Sequence, residues 1–472
     1  MKKEEVRKLL NLNEMIDVIK IEEKVEDKKK IKYVHVKSKR QKARCTSCNQ
    51  FSSKIHDYLK PSKIIYLDSS GERTYLVIYK RRFRCKYCNK SFTEDLGLTN
   101  NKGKITLKVK QKILKDLMDR DKTIVTIAKE NNVSEPTVRK IFLDATKNYP
   151  DHVITLPNIL SFDETSTYTG EGVYSFILND PIHKITLDIL KNRKKDYLIT
   201  YFMKIDRSIR LSVKVVICDL YEAYYEVVKI CFPNAIFVAD PFHYTRYVIE
   251  GLDKVRLRII NEHKNNKKSY EYKMLKNRLN RKLLLKSFNE TRGEKKRIEH
   301  QQIMYESGRS KNKPMSKYND YWYGYMKIKR NDKYVEILRI DRLAQILGIN
   351  KEVAEAYSLK EDFLRITINV KHENAKKELK EWIIKCKKTE IPEMISAANT
   401  IKNWLDSIVN SFKDERYSNG FTEANNNTIT KIVDRAYGYK NFDFFRKRAL
   451  VILHQSYTGG SRKNIEKGQI KK

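Results

Sequence analysis

Three widely separated acidic residues stand where carboxylates could share metal ions. Asp163 follows the strand-like run LSF, and Asp219 follows the strand-like run VVIC. Residues at the carboxyl ends of neighbouring strands can converge at one place. Two carboxylates there can bridge a pair of Mg²⁺ or Mn²⁺ ions about 3.5–4 Å apart, an arrangement that supports phosphoryl transfer. A third carboxylate normally comes from a later helix, and Glu423, which opens an Asn-rich helical segment, is the best candidate.

The same acidic positions also have simpler interpretations. An aspartate at a strand end is more often a turn residue or a helix cap than a ligand. Asp240 ends a third strand-like run, IFVA, and competes with Asp219, but it precedes a proline, which favours a cap or a supporting role. His243 is either a hydrogen-bonding group at the edge of the site or an ordinary helix residue. The residues expected to support the acidic ligands without holding the metal are Asp240, His243, Asn419, Asn426 and Asn427.

Four of the seven cysteines form two CxxC pairs, at Cys45 and Cys48 and at Cys85 and Cys88. Two such pairs can bind one structural Zn²⁺ tetrahedrally, and paired CxxC motifs are a strong signal. The alternative is four unrelated buried thiols. The second pair lies in a very basic stretch, and a small metal-nucleated module that displays cations suits a DNA backbone. The candidate DNA contacts in this stretch are Arg81, Arg82, Arg84 and Lys86.

A helix-turn-helix pattern follows the cysteines. Residues 107–119 have apolar positions at helical spacing, and residues 126–142 contain a second helix, an Asn-Asn turn and a third helix. Ser134 is a good N-cap for that third helix. Thr137, Arg139 and Lys140 are then expected to project outward, where a helix can lie in a major groove. The alternative is an ordinary helical hairpin.

The sequence pattern changes after residue 158, where the elements that must position the acidic residues begin. Short apolar runs recur between residues 159 and 250, first as a β-meander and then alternating with helical stretches, which is typical of an α/β fold. Residues 243–410 are almost entirely helical in pattern, long and basic, and residues 415–456 are helical again. The tail from residue 457 is polar and basic, and it is expected to be disordered.

Charge indicates the kind of partner. The 472 residues carry 98 Lys and Arg against 59 Asp and Glu, a formal net charge of +39. Such an excess usually means a polyanionic partner, although a solvated surface rich in lysine is the alternative. Residues 151–250, which contain two of the three acidic candidates, carry no basic excess. We see no secretory signal and no apolar run of membrane-spanning length, so we expect neither secretion nor a membrane partner.

Together these residues resemble bacterial insertion-sequence DDE transposases of the ISL-three family. The resemblance rests on the basic zinc ribbon, the helix-turn-helix with VSEPTV, the strand ends at Asp163 and Asp219, the segment ADPFHY, and the segment SNGxxE that carries Glu423. It covers nearly the whole chain. It implies that Asp163, Asp219 and Glu423 are the catalytic and metal-binding DDE triad, and that Lys431 and Arg435 contribute to DNA binding.

The resemblance also implies a multidomain α+β architecture with an RNase H-like α/β catalytic core that is interrupted by an all-α insertion. On this basis we expect six segments. They are an N-terminal segment with the zinc ribbon (1–98), a helix-turn-helix domain (99–150), the first part of the catalytic core (151–250), an α-helical insertion (251–410), the Glu-bearing last part of the core (411–456) and a tail (457–472).

The expected function is DNA transposition. The protein would bind the terminal inverted repeats of a mobile element in the bacterial cytoplasm, associated with the nucleoid. It would then cleave and transfer DNA strands by a two-metal mechanism. Two element ends must be brought together, so we expect a homodimer or higher oligomer on double-stranded DNA of the element ends and target. The alternative is a catalytically inactive, transposase-derived regulator that only binds DNA.

Overall fold

The computed structural model describes residues 3–26, 29–69, 71–99, 103–168, 172–289, 292–308, 310, 318–330, 333–436 and 438–458. The chain forms two compact units. One contains residues 1–151, 167–170 and 428–472, and the other contains residues 152–166 and 171–427. No helix in the described part of the chain combines the length and the apolar character needed to cross a membrane.

The first unit begins with a four-stranded sheet whose two N-terminal strands, β1 and β2, we did not predict. Its strand order is β1-β2-β7-β6. Val34 and Val36 of β2 and Leu76 and Ile78 of β7 are buried, so alternate residues of both strands build the core as a strand's period of two requires. The cysteine pairs lie in short ribbons beside this sheet. The elements are α1 (Lys3–Leu9), β1 (Ile16–Glu26), β2 (Lys29–Ser38), β3 (Ala43–Arg44), β4 (Phe51–Ser52), β5 (Ile55–Tyr58), β6 (Ser62–Ile65), β7 (Arg73–Tyr79), β8 (Arg81–Arg84) and β9 (Ser91–Thr93).

Three short helices follow in the same unit: α2 (Leu107–Leu117), α3 (Ile124–Glu130) and α4 (Glu135–Ala145). Their buried residues, among them Ile113, Ile127 and Val138, recur at helical spacing and face one another. Asn132 has a φ of 54° in the turn between α3 and α4, a left-handed conformation that asparagine tolerates better than most residues.

The second unit is built on a five-stranded sheet with strand order β12-β11-β10-β13-β14. The first three strands form an antiparallel meander, whereas β13 and β14 run parallel to β10. All four residues of β13 are buried, as expected for a parallel strand in the middle of a sheet. The elements are β10 (Ile159–Ser166), β11 (Tyr174–Asp180), β12 (Ile185–Leu190), α5 (Lys195–Phe202), α6 (Arg207–Ser212), β13 (Val215–Cys218), α7 (Glu222–Cys231) and β14 (Ile236–Ala239).

A long insertion leaves the sheet after β14 and packs around α8. The expectation that it is all-α is wrong, because it contains an antiparallel hairpin of β15 and β16. The buried Met326 and the half-buried Ile328 and Ile337 of the hairpin pack on the helical core. The elements are α8 (Pro241–Glu262), α9 (Tyr270–Lys276), α10 (Arg278–Leu285), α11 (Arg292–Glu306), a 3₁₀ turn (Tyr318–Tyr321), β15 (Tyr325–Arg330), β16 (Lys333–Leu338), α12 (Arg339–Leu347), α13 (Lys351–Asn369), α14 (His372–Lys388), α15 (Pro392–Asn403) and α16 (Leu405–Ser411).

Two helices follow in the described part of the chain, α17 (Thr422–Arg435) and α18 (Phe442–Thr458). The buried Arg448 of α18 donates hydrogen bonds to the carbonyl oxygens of Leu117, Asp119 and Lys122, at 3.1, 3.1 and 2.6 Å. These carbonyls lie at the end of α2 and in the turn after it, where helices lack internal donors. Helix α18 therefore stabilises the helical part of the first unit. Helix α18 extends through residues 457 and 458, which we expected in the disordered tail, and residues 459–472 of that tail lie outside the described residues.

Candidate functional site

Three neighbouring strands of the five-stranded sheet, β10, β13 and β14, align three carboxylates. Ser161 of β10 is opposite Ile217 of β13, which is opposite Val238 of β14. Two residues further along each strand direction are Asp163, Asp219 and Asp240. Residues i and i+2 along a strand direction face the same side, so the three aspartates are expected on one side of the sheet. We call Asp163, Asp219 and Asp240 the acidic row. This register is consistent with the prediction that Asp163 and Asp219 take neighbouring positions. The prediction that both end their strands is wrong for Asp163, which lies inside β10, because β10 continues to Ser166 as the partner of β11.

His243, in the first turn of α8, links two members of the row. Its Nε2 atom lies 2.8 Å from Asp219 Oδ1 and 3.8 Å from Asp240 Oδ2. The ligand atoms of Asp219, Asp240 and His243 all lie within 4.8 Å of one another. Among the described residues, this is the closest grouping of acidic and imidazole side chains outside the cysteines. Asp240, which we ranked below Asp219 as a direct ligand, is the more buried of the two carboxylates.

The first turn of α17 contacts the third member of the row. Asn426 Nδ2 donates to Asp163 Oδ2 at 2.9 Å, and the backbone amide of Glu164 donates to Asp163 Oδ1 at 2.7 Å. The Thr422 hydroxyl also hydrogen-bonds this carboxylate. Thr422 was not selected from the sequence, although its spacing of four residues from Asn426 places both on one helix face.

Asparagines fix the start of α17 against the sheet. Asn419 Nδ2 donates to the Phe162 carbonyl at 3.1 Å, and the Asn419 amide donates to Asp240 Oδ1 at 3.3 Å. Asn425 donates to the Thr186 hydroxyl at 3.1 Å. Asn427, which we expected to support the site, is exposed, and the unselected Asn425 is buried instead.

Glu423 lies in this same anchored turn. It follows Thr422 directly and precedes Asn426 by three residues, so it occupies a position flanked by two residues that contact Asp163. Its own side chain is exposed, and it is not part of the close grouping of Asp219, Asp240 and His243. Helix α17 thus carries Glu423 on the turn that contacts Asp163, while the Glu423 carboxylate is exposed and lies outside the close grouping.

The electrostatics of the acidic row favour a bound cation. Burial raises the pKa of Asp240 to about 6, although the charge of His243 opposes this shift. Burial also raises the pKa of Asp163, and the charge of Asp219 adds to it. For His243, burial alone would lower the pKa, but the hydrogen bond and charge of Asp219 outweigh it and raise the pKa. Each shift reflects negative charges held together away from water.

The donor atoms at the row suit a hard divalent cation. Mg²⁺ and Mn²⁺ prefer carboxylate, amide and water oxygens. Asn426 Oδ1 and Asn419 Oδ1 are buried without a hydrogen-bond partner among the described residues, and buried polar atoms normally have one. Carboxylates with raised pKa values and unsatisfied amide oxygens are therefore a donor set that fits such an ion.

The four cysteines of the ribbons form a second candidate metal site. Their sulfur atoms all lie within 4.8 Å of one another, with Cys45 and Cys88 3.6 Å apart and Cys48 and Cys85 3.4 Å apart. Both pairs fold into equivalent turns, each closed by an asparagine with positive φ, 62° at Asn49 and 58° at Asn89. The turns also donate backbone amides to sulfur, and such bonds lower the pKa of Cys85 to about 6. A soft, tetrahedral ion such as Zn²⁺ fits this set.

The basic residues beside the second cysteine pair differ in availability. Arg81 forms a bidentate ion pair with the buried Glu94, at 3.0 and 2.7 Å, so its guanidinium is already occupied. Arg82 pairs with Asp57, and Arg84 Nε donates to Asn89 Oδ1 at 2.8 Å. Lys86 is exposed. From the sequence we selected Arg81 but not its partner Glu94, which lies 13 residues away.

The residues that we selected for a helix-turn-helix lie around the start of α4. Ser134 precedes α4, and its hydroxyl lies 2.9 Å from that of Thr137 rather than on a backbone amide. Lys140 is exposed, whereas the guanidinium of Arg139 lies over the ring of Phe444, 5.2 Å from its centre. At the far end of α17, Lys431 is exposed and Arg435 pairs with Asp121 at 3.1 Å.

Comparisons with known proteins agree over most of the chain. Residues 160–449 match a family model described as a transposase of the DDE and ISL3 type, and residues 41–88 match the zinc-finger of transposase IS204/IS1001/IS1096/IS1165. The chain is also similar to the transposase for insertion sequence element IS1001 of Bordetella parapertussis. They are 21% identical over 411 residues, which cover 85% of this chain and 86% of that protein.

Proposed function

The chain belongs to the ISL3 family of transposases, and on this premise we propose that it binds the terminal inverted repeats of a mobile element and catalyses metal-dependent DNA cleavage and strand transfer. Membership supports a DNA-cleaving and strand-transferring enzyme in general. The proposal adds the residues and their roles.

The observation that carries the proposal is the anchoring of α17 on the acidic row. Asn426 contacts Asp163 directly, and Glu423 lies one helical turn before it. Asp163 and Asp219 occupy corresponding positions on neighbouring strands. This arrangement supports Asp163, Asp219 and Glu423 as the three carboxylates that would hold two divalent cations, on a sheet that we assign to the RNase H-like class. When bound, such a pair of cations activates an attacking oxygen and stabilises the leaving oxygen.

The residues around the triad have supporting roles in this proposal. Asn426 and Thr422 orient the carboxylate of Asp163 by hydrogen bonds. His243 orients Asp219 and offsets part of the negative charge of the row before a cation binds. Asp240 receives the Asn419 amide and so fixes the start of α17 relative to β14. Partners of this kind typically change metal affinity or activity by about 10–100-fold.

The first unit would recognise the element ends. We assign Zn²⁺ to Cys45, Cys48, Cys85 and Cys88, where it would stabilise the ribbon, and we assign major-groove contacts to the exposed face of α4. Lys86 and Lys140 are the best-placed cations because they are exposed, whereas Arg81 serves the fold through Glu94. Since two ends must be joined, we propose that at least two copies of the chain act on one element.

The decisive experiment incubates purified protein with DNA that spans each end of the element encoding it, in Mg²⁺ or Mn²⁺. We expect cleavage at the element end and, with target DNA added, joined products. The Asp219→Ala and Glu423→Ala proteins are expected to bind the same DNA and leave it uncut. Binding without cleavage by the wild-type protein would instead favour the regulator that only binds DNA. Full cleavage by either variant would contradict the triad.

A further inference from the structure

The turn and helices that follow α8 form a strongly basic surface in the second unit. Residues 263–286 contain nine Lys or Arg and one acidic residue. Six of these cations are exposed and make no ion pair or side-chain hydrogen bond with any residue that the structure describes. We call these six residues the basic band: Lys264, Lys267, Lys268, Lys273, Arg278 and Lys282.

Nearby arginines form ion pairs, which distinguishes the basic band from other basic residues of the insertion. Arg256 and Arg281 both pair with Asp253, at 2.6 and 2.7 Å. Arg258 pairs with Glu393 at 2.8 Å and also contacts Glu352. The cations that hold the insertion together therefore have acidic partners, whereas those of the basic band have none among the described residues.

Unpaired like charges on one surface repel one another and contribute nothing to folding. They attract a polyanion, and duplex DNA presents about one negative charge per 1.7 Å of axis. Lysine and arginine contacts to phosphates position DNA without reading its sequence. The chemistry of the basic band therefore fits a duplex whose sequence is not fixed.

Helix α8 connects the acidic row to the basic band and therefore sets the distance between them. His243 is in the first turn of α8, and the helices of the band pack along its second half, where Arg281 reaches Asp253 and Arg256 donates to the Leu275 carbonyl at 2.9 Å. At 1.5 Å per residue, residues 253–263 lie about 15–30 Å from His243 along the helix axis. At about 3.4 Å per base pair, this corresponds to roughly 5–10 base pairs of duplex.

We propose that the basic band binds the phosphates of the DNA that flanks the element, about 5–10 base pairs outside the cleaved bond. The inference rests on the proposed function and extends it. Flanking DNA differs at every insertion site, so its contacts must be independent of sequence, as those of the band are. The element end itself is assigned to the first unit, which carries the ribbon and the helix-turn-helix.

The test compares the wild-type protein with the triple variant Lys273→Glu, Arg278→Glu and Lys282→Glu. The control is Lys380→Glu, Lys387→Glu and Lys388→Glu, which makes the same charge change on exposed residues of α14. Binding is measured by fluorescence anisotropy in Ca²⁺, with element-end DNA carrying 0, 5, 10 or 20 base pairs of flank, at several salt concentrations. Thermal denaturation checks that both variants are folded.

We expect wild-type affinity to rise with flank length up to about 10 base pairs, and the triple variant to lose that rise. On the longest DNA, the slope of log K against log salt should fall by about 2–3, since each lost phosphate contact removes about 0.9. The control should match the wild type, and all three proteins should bind the DNA without flank equally.

Two outcomes would overturn the inference. In one, the triple variant matches the α14 control at every flank length. In the other, it loses as much affinity without flank as with it, which would assign the band to the element end. DNA of scrambled sequence is measured alongside. A failure of the proposed function differs from both outcomes, because the wild type itself would then bind element-end and scrambled DNA alike.

Discussion

At the scale of single residues, the acidic row places carboxylates close together and away from water, which is unfavourable when no cation is bound. Asp240 is nearly inaccessible to water, and it lies near Asp219. Burial of a carboxylate disfavours its charged form, so the metal-free protein carries an energetic cost that a bound cation would relieve. The residues of the acidic row and their partners lead to two predictions.

The first concerns stability and pH. The pKa of Asp240 is raised to about 6 in the folded protein, compared with about 3.9 in an unfolded chain. A raised carboxyl pKa gives a stabilising contribution that is complete below the unfolded value and is lost as pH rises through the folded value. We therefore expect Asp240→Asn to stabilise the metal-free protein at pH 8 by up to about 3 kcal/mol, and not at pH 3.5.

Thermal or urea unfolding with a chelator present measures this effect. The exposed Asp434→Asn variant is the control and should change little at either pH. Equal stability of the wild-type and Asp240→Asn proteins at pH 8 would show that Asp240 is not destabilised by burial.

The second prediction concerns Asn426 and compares it with its neighbour. Asn426→Ala removes the amide donor to Asp163, so we expect the apparent affinity for Mg²⁺ or the cleavage rate to fall by about 10–100-fold. Asn427→Ala is the matched control, because Asn427 is exposed. The readout is the Mg²⁺ dependence of cleavage, and equal effects of the two substitutions would contradict the positioning role of Asn426.

Single residues also show what the sequence could predict. Asp163 and Asp219 could be selected because each follows a short apolar run, and neighbouring parallel strands align such positions, although β10 continues past Asp163 to Ser166. The contacts of Thr422 and Asn425 could not, because their partners lie more than 230 residues away. Glu94 was missed for a related reason, since its pairing with Arg81 depends on how β8 and β9 align.

At the scale of elements, helices were easier to predict than short strands. The apolar spacing of residues 107–119 indicates α2 because a helical period is visible over three turns. The hairpin of β15 and β16 was missed because its exposed face carries Tyr325, Lys327 and Tyr334, so the segment reads as a polar stretch within helical surroundings. The first strand of the N-terminal sheet was missed because the outer face of β1 is charged, which weakens the apolar signal.

Helix α8 crosses α15 at a glycine, and this contact yields a third prediction. A Cβ atom at Gly251 would lie 3.2 Å from Met394 Sδ and 3.4 Å from the Glu393 carbonyl. We expect Gly251→Leu to lower the free energy of unfolding by about 1–3 kcal/mol, because it overpacks the crossing. Gly251→Ala should change it by less than about 1 kcal/mol, because the gain in helix propensity offsets a small shift of the methionine.

Urea unfolding of the full chain distinguishes these cases, with Glu250→Leu as the control on the adjacent, more exposed position. If Gly251→Leu were as stable as the wild type, the close approach of the two helices would not exist in solution.

At the scale of the whole molecule, the ribbon and the acidic row offer donor atoms that suit different metals. Four sulfur ligands prefer Zn²⁺, whereas oxygen ligands prefer Mg²⁺ or Mn²⁺. We therefore predict about one tightly bound zinc per chain, which purification retains, and a separate divalent requirement for cleavage. Cys88→Ser should lose the zinc and the binding of element-end DNA, because the ribbon no longer folds.

Metal analysis of the purified proteins and DNA-binding measurements test this prediction. Cys386→Ser is the control, since Cys386 is buried in the insertion and should not affect zinc content. Retention of zinc by Cys88→Ser would exclude the four-cysteine site.

The insertion departs from the sheet at Asp240 and returns at Asn419, and a hydrogen bond of 3.3 Å joins these two residues. The intervening 178 residues therefore form a closed excursion whose two stems stand side by side. A junction of this kind tolerates replacement of the inserted segment, because the entropic cost of closing a longer segment grows only slowly with its length. A different module can therefore replace the insertion at this junction while the sheet and its acidic row stay unchanged.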